Sequence, residues 1–154
     1  LTTEALIISG IQTAIQSLDE FASVDVRIGD WGILDEETAK APYVILEQSD
    51  SFFSRQDTVT PTTKWDIVVN LLVSFDGWDK AKLALGTYRQ ALIDKFNTVG
   101  TSRAAGGLVG VTIDVIRSDG EIFAIFDAYL TPTELIEAEP VFLAQRLVFE
   151  TSEF

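Results

Sequence analysis

KWDIVVNLLVSFDGWDKAKLALGTYRQALIDKF, residues 64–96, holds the two elements that decide the fold. From Lys64 to Phe75 the residues alternate. Trp65, Ile67, Val69, Leu71, Val73 and Phe75 share one face; Asp66, Val68, Asn70, Leu72 and Ser74 share the other. A period of two predicts a β-strand. Its second face is itself half apolar, so the strand is expected to be central and partly covered on both sides. Asp76 is then expected to accept from the amides of the next turn and start a helix, with Asp79 in its first turn. Trp78, Ala81, Ala84, Leu85, Tyr88, Leu92 and Phe96 form the apolar stripe of that helix. Lys82 and Arg89 are seven residues apart and fall on one flank of it.

Working outward, Thr3–Ala22 reads as an amphipathic helix, with Ile7, Ile11, Ala14, Ile15, Leu18 and Phe21 at helical spacing. Gln12, Gln16, Asp19 and Glu20 fall opposite, and Leu6 lies off the apolar face. Val24–Ile28 alternates as a short half-buried strand, and Pro42 opens another over Tyr43–Gln48. Asp50–Thr63, rich in Ser, Thr and Asp, is expected to be a long loop or a hairpin tip carrying Phe52 and Phe53. Such adjacent Phe residues either tuck into the core or anchor a partner. Leu108–Arg117 and Glu121–Tyr129 are predicted to form a hairpin about Ser118-Asp119-Gly120. Leu130–Pro140 reads as a polar segment, and Val141–Glu150 as the last strand, with Gln145 against its apolar pattern. Helix, strands, helix, strands in that order predict a single α+β domain over residues 1–154. Its sheet should be mainly antiparallel or mixed, with both helices packed on one face.

Composition narrows the function. The 154 residues include neither Cys nor His, so disulfides, thiolate metal sites and the commonest general base are excluded. The net charge of −13 makes nucleic acid and anionic membranes poor partners. No apolar run approaches a membrane span, and Leu1–Ala22 lacks the basic start and continuous apolar core of a signal peptide. The charge is also uneven: residues 1–50 carry −8, residues 51–103 carry +2, and residues 104–154 carry −7. Either the acid is a solubilising coat, or a basic band on one copy meets an acidic face on the next.

No catalytic constellation emerges. Asp76 and Asp79 are accounted for by a helix start, Asp35-Glu36-Glu37 by a solvated loop, and Asp19-Glu20 by a polar helix side. No EF-hand pattern occurs; Glu134, Glu137 and Glu139 flank a Pro without its spacing. Gly106-Gly107 and Gly110 precede a strand, whereas phosphate cradles follow one and open a helix. Trp65 and Trp78 fall on apolar stripes and are expected in the core, while Trp31 is unassigned. The chain is therefore expected not to be an enzyme and to need no cofactor or metal.

Taken in order, the N-terminal helix, APYVILEQ, the long loop, KWDIVVNLLVSFD, the helix GWDKAKLALGTYRQALIDKF, the hairpin and EPVFLAQRLVFE resemble the tail terminator (tail-completion) proteins of long-tailed bacteriophages. The likeness spans nearly the whole chain and rests on pattern rather than on a catalytic signature. It implies a virion component, made in the host cytoplasm, that forms a homo-oligomeric ring, usually a hexamer, on the head-proximal end of the tail tube. The ring would end tube growth and dock the head–tail connector, and DNA would cross its lumen without being bound specifically. Under this reading the expected subunit contacts are Phe52, Phe53, Lys82 and Arg89, together with Leu130–Pro140. Other connector, neck or tube subunits fit a similar pattern. A small ligand-binding or hydrolytic α+β domain is the reading from another class, and it would require a deep pocket near Asp66, Asn70 or Asp114.

Overall fold

The computed structural model describes residues 4–29, 42–55, 61–97, 111–118, 120–126 and 131–153. Trp31, the Asp35-Glu36-Glu37 run, the Gly106-Gly107 pair, Asp119 and the side chains of Leu6, Phe52, Phe53 and Asp114 lie outside the described residues. The chain builds α1 (Glu4–Gln16), β1 (Asp25–Ile28), β2 (Tyr43–Arg55), β3 (Pro61–Ser74), α2 (Trp78–Asn97), β4 (Val111–Ser118), β5 (Phe123–Ile125), α3 (Pro132–Glu137) and β6 (Phe142–Glu153). It is an α+β fold with one mixed, six-stranded sheet ordered β1-β2-β3-β6-β4, and β5 also pairs with β6. Only β1 and β2 run parallel; the other described pairs are antiparallel.

The long alternating strand is central, flanked by β2 and β6 along most of its length. Both of its faces are buried, as its double apolar pattern requires: Ile67, Val69 and Leu71 on one side, Val68, Asn70 and Leu72 on the other. The first face meets the two long helices. Ile7, Ile11 and Ile15 of α1 and Ala81, Leu85, Leu92 and Phe96 of α2 share one cluster with Val44, Leu46, Leu143, Leu147 and Phe149. Both long helices therefore lie on the same face of the sheet. The Phe96 and Phe149 rings meet edge-on at 5.2 Å, and Tyr88 tilts against Phe21 at 5.1 Å. A smaller cluster of Tyr43, Ile45, Leu72, Phe142 and Ala144 occupies the opposite face.

Several expectations are corrected. The first helix stops at Gln16, and a 3-10 turn over Asp19–Phe21 carries Phe21 into the core. Asp50–Thr63 is mostly strand: β2 runs to Arg55 and β3 starts at Pro61, in register as Arg55↔Pro61. Pro61 is tolerated because a strand's first residue need not donate to the ladder. One extra residue between Gln48 and Ser51 makes a β-bulge in this hairpin.

Among the described residues β4 and β5 do not pair with each other, so the predicted hairpin is replaced. β4 and β5 both pair antiparallel with β6, β4 against Leu147–Glu153 and β5 against Phe142–Ala144. They are two pieces of one edge strand, and the true reversal is the stretch holding α3. Gly120 has φ +89°, a conformation that serves a turn or a break in a strand equally well, so its sequence signal was ambiguous. The polar segment Leu130–Pro140 contains a helix because Thr131 accepts from Glu134 N–H and Pro132 sits in the first turn.

At the start of α2, Gly77 rather than Asp76 takes the capping place: its carbonyl accepts from Ala81 N–H (3.1 Å) and its φ is +85°. Asp76 pairs instead with Lys80 Nζ at 3.4 Å. Trp78 is 50% exposed, not buried. Helical spacing predicts which side a residue takes but not where the sheet beneath the helix ends.

Candidate functional site

The two cations singled out on the second helix lie on one flank, as their spacing requires, and both border a shallow depression of about 630 Å³ with Glu20, Leu83, Gly86 and Gln90. Their environments differ. Lys82 is exposed, with its ammonium 5.9 Å from the centroid of the Trp78 ring, within range of a cation–π attraction. Arg89 is half-buried, and its Nη1 donates to Gln145 Oε1 at 2.7 Å. Gln145 in turn donates from Nε2 to Ser118 Oγ at 3.0 Å. Arg89, Gln145 and Ser118 thus tie α2 to β6 and to the edge strand β4. Gln145 is 6% exposed, so this chain satisfies a polar side chain inside an apolar layer.

Phe52 and Phe53 are in β2, paired in register with Lys64 and Thr63. β1 pairs β2 only from Tyr43 to Leu46. Among the described residues, no strand pairs with the outer edge of β2 from Glu47 to Arg55. An open edge presents a row of backbone donors and acceptors.

The face of the sheet away from the long helices is graded. At one end lie Tyr43, Leu72 and Phe142, with Tyr43 and Phe142 edge-on at 6.1 Å. Further along, Asn70, which is fully buried, donates from Nδ2 to Ile45 O (3.1 Å) and Glu47 Oε2 (3.2 Å). Arg146 Nε reaches Asn70 Oδ1 at 3.4 Å. Two rows further, past Val68 and Val148, Arg117 bridges Asp66 (4.0 Å) and Glu150 (3.6 Å). Asp66 and Asn70, where a pocket was to be sought, are engaged in these contacts; Asp114 sits at a bulge between Ile113 and Val115 of β4.

Among the described residues, no helix is long and apolar enough to cross a membrane, and no three Asp or Glu gather as candidate metal donors. The exposed large apolar side chains are Ile28, Trp78, Leu83, Val115, Phe123, Phe126, Ile136 and Val141. Two of them, Trp78 and Val141, adjoin Phe75 at the end of β3: the Trp78 ring meets the Phe75 ring edge-on at 5.2 Å, and Val141 O accepts from Phe75 N–H. Sequence periodicity missed this grouping, because it reports the face of each element and not which element ends coincide. Neither a protein-family model nor a curated protein sequence matches the chain.

Proposed function

We propose that the protein is a non-enzymatic structural subunit of a phage virion, a tail terminator that assembles into a ring of six copies. The ring would cap the head-proximal end of the tail tube, end its polymerisation and offer its other face to the head connector. The observation that carries this reading is the β2–β3 hairpin. β2 has 13 residues and β3 has 14, whereas the neighbouring edge strand β1 has four. Among the described residues no strand pairs with the outer edge of β2 from Gln48 to Arg55, and edge pairing is a common way for chains to join through backbone hydrogen bonds. The pattern resemblance adds the tail, and the negative balance suits a conduit for DNA that should not hold phosphate.

Native mass spectrometry, with negative-stain imaging alone and in the presence of tail tubes, tests the reading. Closed rings of fixed copy number, bound to one end of each tube, are expected. A strict monomer at high concentration, tubes present, would overturn it, and long filaments of the purified protein would favour a tube subunit instead.

A further inference from the structure

Over one half of the sheet, both edges run along the same rows. The row of Ile67 reads Gln48, Ile67, Phe149, Ile116, and the row of Thr63 reads Phe53, Thr63, Glu153, Val111. Among the described residues, β1 covers β2 only as far as Leu46, and no strand lies outside β2 from Gln48 to Arg55 or outside β4. β4 has 8 residues, and the uncovered stretch of β2 equals it in length. The two edges have opposite polarity, because β2 runs against β3, β3 against β6 and β6 against β4.

Each of these edges also carries a bulge, and the two bulges fall at one row. Ser49 and Asp50 stand opposite Asp66, between the pairs Gln48↔Ile67 and Ser51↔Trp65. Asp114 is the extra residue between the pairs Ile113↔Thr151 and Val115↔Glu150. Asp66 and Glu150 are themselves partners, and β3 and β6 keep one register throughout. The inner strands are thus regular while both outer strands gain a residue at the same step, so all four bend there together. Bulges placed this way give a sheet the curvature that closure needs. Neither edge carries the usual guards against pairing: residues 48–55 and 111–118 contain no Pro and no Lys. Each stretch holds one Asp and one Arg, and is neutral within a chain of net charge −13.

We propose that β4 of a second copy pairs antiparallel with β2 over Gln48–Arg55, so that each copy offers one edge and fills the other. Polarity selects this occupant first. A rotation about an axis along the strands delivers β4 to β2 in the antiparallel sense and keeps the helix layer on one side of the continuing sheet. Extent selects it next, since the two edges span the same rows with equal length and neither overhangs. Charge agrees, because two neutral stretches can approach where the rest of a −13 chain repels its copies. A two-fold pairing of β2 with β2 would also be antiparallel, but it would leave β4 uncovered. The proposed contact is heterologous, the kind that closes into a ring when its rotation permits. It rests on the ring reading for closure alone; the edge pairing itself requires no tail.

The chain has no Cys, so cross-links can be placed at will. Phe52→Cys and Ser54→Cys on β2, and Thr112→Cys and Val115→Cys on β4, are made as separate proteins. They are oxidised alone and in each mixture of a β2 with a β4 variant, while native mass spectrometry follows the unmodified chain. A covalent dimer is expected in at least one mixture and in no variant alone, and the pairs that link give the register. Hydrogen exchange is then compared between dilute and assembled protein. Alternate amides along residues 48–55 and 111–118 should gain about tenfold or more in protection on assembly, as amides entering a ladder do. Closed rings with neither a mixed dimer nor protection at these edges would overturn the pairing and leave the ring standing. Dimers from Phe52→Cys or Ser54→Cys alone would overturn it in favour of the two-fold β2 contact. Mixed dimers with edge protection in an open series of oligomers would keep the pairing and remove the ring. A monomer at every concentration, with no mixed dimer, would remove both.

Discussion

The two faces of β3 solve different problems with the same strand. Toward the helices, Trp65, Ile67, Val69, Leu71 and Val73 form an unbroken apolar line, and the buried polar groups in that layer each have a defined partner. Gln145 has Arg89, and the Thr151 hydroxyl donates to Trp65 O at 2.9 Å. Away from the helices, the line passes from Leu72 through Asn70 and Val68 to Asp66, apolar at one end and ionic at the other. The first face positions the helix layer. The second sets register, because a one-residue slip would place Asn70 among the helices and an aliphatic residue against Glu47.

The sharpest way to break that comparison is to truncate one residue on each face. Leu71 and Leu72 are adjacent, each 1% exposed, and face opposite ways. Leu71→Ala and Leu72→Ala are each expected to cost about 2–5 kcal/mol in urea unfolding, from lost burial and the cavity left behind. A Leu72→Ala cost well below that of Leu71→Ala would mean that the face away from the helices is not a second core.

Next come the buried polar links. Asn70→Ala removes the donor to Ile45 O and Glu47, and Arg89→Ala strands the Gln145 amide oxygen under α2. Each should cost about 1–3 kcal/mol, the range for leaving a buried polar group unsatisfied. The Arg89 result also bears on assembly: Arg89→Glu would set a carboxylate against that oxygen, so a loss of assembly there would be confounded by loss of fold. Lys82, exposed and free of the sheet, is the cleaner probe. By contrast, the Arg117 bridge to Asp66 and Glu150 is partly exposed on both sides. Arg117→Ala should cost at most about 1 kcal/mol, and less at high salt.

The periodicity of Lys64–Phe96 was enough to place the central strand, the long helix above it and the shared face of the two helices. What it could not give was partnership. Gly120 offers a positive φ, and whether this reverses the chain or merely breaks an edge strand depends on how much of β6 remains to be paired. Gln145 looked out of pattern because its partner Arg89 is 56 residues away. Phe75, with the Trp78 ring against it, meets Val141 from a stretch of chain more than 60 residues away, so no window along the chain contains all three. α3 was hidden for another reason: six residues are too few to show a period, and its cap is the only local sign.

The smallest effects separate stability from assembly on α2. Lys80 and Lys82 are neighbours on its exposed surface. Lys80 makes an i,i+4 ion pair with Asp76 in which both side chains are more than three-quarters exposed. Such pairs contribute about 0.3–0.5 kcal/mol, and salt screens them further, so Lys80→Ala should scarcely move the unfolding midpoint. Lys82 lies over the Trp78 ring face, and at an exposed site that contact contributes about 0.5–1 kcal/mol. By denaturation the two substitutions should therefore look nearly alike. They should part in light scattering if Lys82 is a subunit contact of the proposed ring: Lys80→Ala should leave assembly intact, whereas Lys82→Ala should weaken it. Equal behaviour in both measurements would make the cation over Trp78 a local detail of the helix start rather than a subunit contact.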